Sequence, residues 1–416
     1  MLMGWSCNGE MIPRKTPEVL FALLLGFATA YPQQPPRLTV QEALDLADKQ
    51  NLDLAAARRQ RAVALAGIQI AKQRPNPTAN FTALRDEPHE GLFFDQPVEI
   101  GGQRGRRMDV ARQEGALTEV EIATLARQVR RSTREAYYAA AYARAESERL
   151  ARVVDLARRL EQIAKDRFNT GDVAQLEVMQ TGLEVSRAET DLLVARQREI
   201  VSMSELNALL NEPAKKAWEL EGTLEDKIPT ARLEELLSRA YLSNPELQHL
   251  GGEKKVEESR RSLLKAERIP DLVLDAGIDF NSPRDFRYGP RSQVSIGLPL
   301  FSRNQGEIAQ SFANERVLEA QTAATERSVS ARVEAAFYDL EAQRTQVQLY
   351  HDRLLPVARR LESMAEESYR AGKTSILTAI QAQQDVQSVE SSYLQSLEQL
   401  QDLYAGLEET VGGAVD

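Results

Sequence analysis

Sulfur chemistry is almost missing from this chain. Its single cysteine, Cys7, lies in the first few residues, so the remainder can form neither a disulfide, a thiolate metal site nor a CxxC redox pair. Histidine is nearly as scarce: His89, His249 and His351 fall in a strand connection and two separate helical regions, a spacing that gathers no metal ligands. No GxxxxGK[ST] loop occurs, and Gly101-Gly102-Gln103-Arg104-Gly105 lacks the βαβ context of a nucleotide site. No nucleophile stands in a pattern with a base, so no enzymatic activity and no cofactor are expected. Positive charge is in deficit, 52 Lys+Arg against 62 Asp+Glu for a net charge of −10, which argues against nucleic acid as a partner. Long apolar runs are lacking too. Past the N-terminus none approaches the ~18 residues of a transmembrane helix, so a mature chain that spans a bilayer must do so as a β-barrel.

What is present is a foldable chain of 416 residues, 42% apolar and 27% charged. Arg14 and Lys15 precede the apolar stretch Val19 to Phe27, and Ala28-Thr29-Ala30 then forms an A-x-A cleavage pattern before Tyr31-Pro32. Residues 1–30 therefore read as a secretory signal peptide, with Met11 an alternative start. Cys7 precedes the apolar stretch and is not placed as a lipid-anchor cysteine.

The rest is written twice. Phe168-Asn169-Thr170-Gly171 and Tyr369-Arg370-Ala371-Gly372 recur 201 residues apart, as do Leu176 and Leu377, and Gly105 and Gly306. Asn51-Leu52 answers to Asn244-Pro245, and Ala136-Tyr137-Tyr138 to Ala336-Phe337-Tyr338. A period this long marks a duplicated half rather than a solenoid. The first repeat, 31–210, carries a helical segment at 38–73, a β-hairpin at 76–100, a long helix at 104–167, a turn at 168–175 and a helix at 173–210. A linker at 211–230, with Pro213 and Pro229, leads into the second repeat, 231–412. That repeat has a helical segment at 231–267, a hairpin at 270–301, a long helix at 304–368, a turn at 369–376 and a helix at 374–411. Residues 413–416 form a C-terminal tail.

The helices carry a coiled-coil period. Leu150, Val153, Ala157, Leu160 and Ala164 step by three and four, as do Val347, Tyr350, Leu354, Val357, Leu361 and Met364. A helix over 104–167 would measure ~96 Å, too long for an ordinary globular domain. The strands alternate: even positions are apolar over 271–280 and, from Val294 on, over 292–300. Residues 78–85 alternate poorly, and Phe93-Phe94-Asp95 interrupts the next strand. Such alternation suits a transmembrane barrel, with lipid on one side and water on the other, and equally a half-buried sheet in a soluble domain. Two hairpins give four strands, fewer than the ~8 of the smallest single-chain barrels, so a barrel requires oligomerisation. The expected fold class is mainly α with a small β part.

Three stretches resemble the TolC family of outer-membrane efflux proteins, over nearly the whole mature chain. Asp95-Gln96-Pro97-Val98-Glu99-Ile100-Gly101-Gly102-Gln103-Arg104 and Pro299-Leu300-Phe301-Ser302-Arg303-Asn304-Gln305-Gly306 are similar to the strand-to-helix junctions of its heavy-metal branch, the CzcC/CusC-like proteins. Leu38-Thr39-Val40-Gln41-Glu42-Ala43-Leu44 resembles the family's first mature helix. The resemblance implies a homotrimer in which long helical hairpins form a periplasmic α-barrel and four transmembrane strands per chain form a twelve-stranded β-barrel in outer-membrane lipid. It would be the passive exit duct of a tripartite efflux system, docked on a periplasmic membrane-fusion adaptor and an inner-membrane pump of the RND type, exporting heavy-metal cations or drugs. Type I secretion is an alternative cargo route, and a periplasmic coiled-coil scaffold or adaptor an alternative class.

The resemblance implies that the docking tips are Thr170, Gly171, Asp172, Val173 and Ala371, Gly372, Lys373, Thr374. Where some members carry constricting acids after the second turn, this chain has Thr378 and Gln381, so an acidic gate would have to come from Asp172 or Glu177. If the apolar strand face meets lipid, Asp275 and Asp279, with Asp95 and Glu99, point into the lumen. Carboxylate rings there would favour cations, or would only keep the lumen wet. The far-side connections, about 86–90 and 281–291, are short.

Overall fold

The computed structural model describes residues 35–415 apart from 87, 223, 227 and 283–285; the expected signal peptide lies outside the described residues. Each repeat begins with a helix pair whose break is set by an asparagine. Strand β1 (Arg37–Thr39) enters α1 (Val40–Gln50) through a capping box, in which the Thr39 hydroxyl accepts from the Glu42 amide and the Glu42 carboxylate accepts from the Thr39 amide. Asn51 then ends α1 and caps α2 (Leu52–Lys72), its Oδ1 accepting from the Leu54 amide at 3.0 Å.

The hairpin strands β2 (Thr78–Ala83) and β3 (Glu90–Val98) follow. From them runs α3 (Gln103–Asn169), one unbroken helix of 67 residues and therefore ~100 Å. Helix α4 (Gln175–Leu209) returns along it, and β4 (Glu219–Glu221) pairs in parallel with β1. The second repeat sets out α5 (Leu233–Ser243), α6 (Pro245–Ala266), β5 (Leu272–Ser282) and β6 (Phe286–Ile296) in the same order. Asn244 caps α6 as Asn51 caps α2. Each also donates from Nδ2 to a carbonyl at the end of its own repeat's last helix, Asn51 to Leu209 at 3.1 Å and Asn244 to Thr410 at 2.8 Å. That double use of one amide explains why this landmark is repeated.

Two elements depart from expectation. The long helix of the second repeat is not continuous: α7 (Gln305–Leu349) passes through a π-helical turn, Tyr350–Leu354, into α8 (Leu355–Arg370), before α9 (Ile376–Val411) returns. Pro356 accounts for the break, because it lacks an N–H and its ring displaces the carbonyl one turn earlier; the chain absorbs this as an extra residue in the turn. The last strand also begins earlier than the alternation over 292–300 suggested, and it stops at Ile296. The connection expected at about 281–291 takes in Gly289-Pro290, yet Pro290 sits in the strand opposite Ile278. The strand is at the sheet's edge, where a missing N–H is tolerated.

The four hairpin strands form one antiparallel sheet in the order β2-β3-β5-β6, with β3 against β5 joining the two repeats. Near the sheet α3 packs on α2 and α6, with α7 beyond; farther along it packs on α4 and α9, with α8 beyond. The main core lies between, where Tyr137, Tyr138, Leu38, Leu206, Leu210 and Leu397 are buried together. Burial of this apolar surface at ~25 cal/mol per Å² holds the linker segment and α1 onto α3 and α9.

Candidate functional site

The sheet has two chemically distinct faces, set by strand period. One face carries the cross-strand rows Thr78, Asp95, Asp275, Gln293 and Asn80, Phe93, Gly277, Arg291, followed by Thr82, Gly91, Asp279, Gly289. The other presents Phe81, Phe94, Leu274, Ile278, Tyr288, Val294 and Ile296, all exposed in the single chain. A sheet that turns its aromatic and branched side chains to solvent is built to meet an apolar phase.

The alternation therefore survives at Phe93-Phe94-Asp95. Phe94 joins the apolar face, and Phe93 lies on the polar face but is only 3% exposed. Phe93 is buried there because it has glycine for a neighbour. A Cβ on Gly277 would stand 2.3 Å from the Phe93 ring, so only glycine lets the ring lie flat on the strand. Arg291 covers its other side, its guanidinium 4.0 Å from the ring centroid and 3.5 Å from the Asp279 carboxylate.

The four sequence-selected acids separate on inspection. Asp95 and Asp275 face one another across the β3–β5 ladder, and Asn80 donates to Asp95. Asp279 is shared with Arg291, which offsets part of its charge. Glu99 lies past the end of β3 and is clamped by Arg107, which also reaches the Gln73 carbonyl at 3.3 Å, so it serves the strand-to-helix corner. The junction motif has a further function: Gln103 donates to the Ile269 carbonyl at 2.7 Å and to Asp271 at 3.0 Å, tying the start of α3 to the start of β5.

At the far end of the helices the two turns are built alike. Gly171 and Gly372 take φ of 84° and 72°, the left-handed region that favours glycine. In the first turn the Asp172 amide donates to the Arg167 carbonyl at 2.8 Å and the Gly171 amide to Phe168 at 3.0 Å. In the second, Lys373 donates to Ser368 at 2.9 Å and Gly372 to Tyr369 at 3.0 Å, the same pair of bonds. Thr170 donates to Asp172, while Lys373 is exposed, so the matched position is acidic in one turn and basic in the other.

The two turns are also linked. Tyr369 is fully buried among Leu160, Ile376 and Ala379. Its hydroxyl donates to Glu177 at 3.2 Å, and Arg167 lies 5.1 Å from its ring centroid and donates to its carbonyl at 3.3 Å. Burial, with Glu177 next, pushes the Tyr369 hydroxyl pKa up, so the phenol stays protonated as the donor. Of the four gate candidates Glu177 is the one bonded to the other turn. Asp172 bonds within its own turn, Thr378 is exposed and near Ser375, and Gln381 donates to Asp385 at 3.0 Å. Arg167 and Tyr369 were not singled out in the sequence: the repeat showed an aromatic there, but nothing local shows that it crosses to the other turn. Of the histidines, His249 stands between Glu121 and Glu253 at 3.7 and 3.8 Å, and His351 beside Asp352 at 2.8 Å.

The sequence matches the profile of the outer membrane efflux proteins in two segments, residues 43–212 and 236–413. It is 25% identical over 365 residues to the cobalt-zinc-cadmium resistance protein CzcC of Cupriavidus metallidurans, covering 86% of each chain. Among solved structures, CusC superposes with a TM-score of 0.75 at 15% identity over 93% of this chain and 96% of that one. The Campylobacter jejuni CmeC outer membrane channel gives 0.73 at 15% identity, over 90% and 85%. At such identities the likeness of structure speaks for the fold. The two matched segments take in most of the chain, and on that ground it belongs to the outer membrane efflux protein family, whose members are passive channels and not enzymes.

Proposed function

We propose that this chain is the outer-membrane exit duct of a tripartite efflux system for heavy-metal cations. The observation that carries the reading is the sheet with its exposed apolar face at one end of a ~100 Å helix, open at both edges, β2 and β6. One sheet of four strands cannot close on itself, so three copies would complete a twelve-stranded barrel in the outer membrane, with the polar rows inside. The helices would continue it as a periplasmic tunnel. The turns around Gly171 and Gly372 would meet the membrane-fusion adaptor, and through it the inner-membrane pump, which supplies the energy. Resemblance to a cobalt-zinc-cadmium resistance protein supports metal cations as cargo.

The lumen reading rests on Asp95, Asp275 and Asp279, three carboxylates that stand, among the described side chains of the polar rows, with the guanidinium of Arg291, and it predicts a cation-favouring pore. Tip closure would rest on the Arg167–Tyr369–Glu177 contact.

The experiment is to express the chain with its own leader and cognate pump and adaptor in a two-membrane bacterium, then measure envelope location, detergent-solubilised mass and tolerance to cobalt, zinc and cadmium. A trimer in the outer-membrane fraction that raises metal tolerance is expected. A periplasmic monomer or dimer would overturn the duct, and an outer-membrane trimer that leaves tolerance unchanged would overturn the cargo.

A further inference from the structure

The helices nearest the sheet enclose a hollow with an apolar floor and an acidic rim. Helix α6 lies between α3 and α7, and all three line one groove. Its larger part, about 480 Å³, is bounded by Leu125 of α3, Leu250 of α6 and Thr325 of α7. That volume falls within the ~300–1,000 Å³ of small-molecule sites. A second part of about 360 Å³ continues it past Leu117, Val256 and Leu318, and the two meet where His249 approaches Glu253. From Leu117 to Gln128 the groove follows α3 for ~16 Å.

A hollow lined by three successive helices lies on the concave side of their layer. Helix α5 covers a different side: Leu247 of α6 packs into the cluster that α5 forms with α7, and the Tyr241 hydroxyl meets that of Ser330. At ~100° per residue, His249 and Glu253 stand at least ~120° round α6 from Leu247, so α5 leaves the groove open. The lining decides what fits. The rim carries Glu121, Glu246, Glu253 and Glu257, and among the described lining residues there is no lysine or arginine. Glu246 is held by Arg332 at 2.7 Å, and Lys254 and Arg261 of α6 are taken up by Glu319 and Glu315 of α7. Among the described residues the one ionic neighbour of Glu121 and Glu253 is His249, at 3.7 and 3.8 Å, beyond hydrogen-bond distance. The two carboxylates approach opposite nitrogens of its ring, so a single metal ion could not take all three groups. An apolar floor beside uncompensated carboxylates matches instead a ligand with an apolar body and a positive centre.

We infer that this groove lies on the tunnel wall and binds an amphipathic organic cation, its apolar body over Leu125, Leu250 and Val256 and its positive centre at Glu121 and Glu253. The inference rests on the duct reading and adds to metal cations a second class of ion, one that the wall itself contacts.

The test is current through the full-length protein in a planar bilayer. Tetraphenylphosphonium, an apolar body with one positive charge, is expected to interrupt the current. Tetramethylammonium, which has the charge without the body, and an aromatic sulfonate, which has the opposite charge, should not. Glu121→Gln with Glu253→Gln should raise the half-blocking concentration about tenfold, the scale of two partly screened charge contacts. Glu121→Asp with Glu253→Asp keeps the charge and should block as wild type does, while Leu250→Asn should weaken block through the floor alone. Block that the glutamine pair leaves unchanged, or equal block by tetramethylammonium, would overturn the site. A channel that conducts but is never blocked sinks this site alone, and a chain that forms no channel sinks the duct and the site with it.

Discussion

The Tyr369 hydroxyl donates to Glu177 at 3.2 Å across 192 residues of sequence, so a buried phenol on one helical turn of the chain bonds to the other. Replacing it separates its two contributions. Tyr369→Phe removes the hydrogen bond, worth about 1 kcal/mol, and keeps the ring. Tyr369→Ala also empties the pocket beneath Leu160 and Ile376 and should cost about 3–5 kcal/mol. If the turns close the duct, both variants admit a large antibiotic that the intact envelope excludes, the alanine more; equal exclusion by wild type and Tyr369→Ala would remove the contact from the gate.

Glycines at two helix ends should respond differently to alanine. Gly171 has open space around its missing Cβ, so Gly171→Ala faces only the cost of positive φ, about 1–2 kcal/mol. At Gly412 a Cβ would fall 2.0 Å from the Ser243 carbonyl oxygen, and φ is 90°. Gly412→Ala must push the end of α5, with the Asn244 cap that follows it, away from the end of α9. Thermal unfolding should therefore show a markedly larger loss for Gly412→Ala, and comparable losses would contradict the close approach.

Ion selectivity tests the polar rows of the sheet. Asp95→Asn with Asp275→Asn removes two facing carboxylates per chain, and the reversal potential in a bilayer recording should move toward zero. Arg291→Gln frees Asp279 from its guanidinium partner and should move it the opposite way. Wild-type selectivity for anions would end the cation reading.

Acid should stabilise the contact of α3 with α9. Burial pushes Glu398 up to about 7 and Asp402 up to about 6, with Asp402 adding to the rise at Glu398 and Glu135 to that at Asp402, against Arg131. Both groups bind protons more readily folded than unfolded, so their contribution is complete below the ordinary carboxylate range and is lost as pH rises through 6 to 7. The melting temperature should be higher at pH 5.5 than at pH 8. Glu398→Gln with Asp402→Asn should flatten that difference; an undiminished difference would place its origin elsewhere.

Much of this architecture is local and so could be read from residues alone. Helix caps, glycine turns and period-2 strands act over a few positions, which is why Asn51, Gly171 and the alternation at 271–280 announced themselves. Pro356 was equally visible, but whether a proline ends a helix or is absorbed as a π-turn depends on the packing that holds both halves in line. Pro290 posed the same problem in a strand, and only its position at the sheet edge made it tolerable.

The sequence by itself determined the duplication, the order of elements in each half, the family, and which residues are able to turn, cap or alternate. The tertiary structure decided what those residues face: that β3 pairs with β5 across the repeats, that Glu99 is held at a corner by Arg107 while Asp95 faces Asp275, and that Tyr369 is buried where its counterpart Phe168 is exposed. Local periodicity sets the face on which a side chain stands. What stands opposite is set by contacts between segments some 200 residues apart, and the offset between copies in the sequence carries no information about them until the chain is folded.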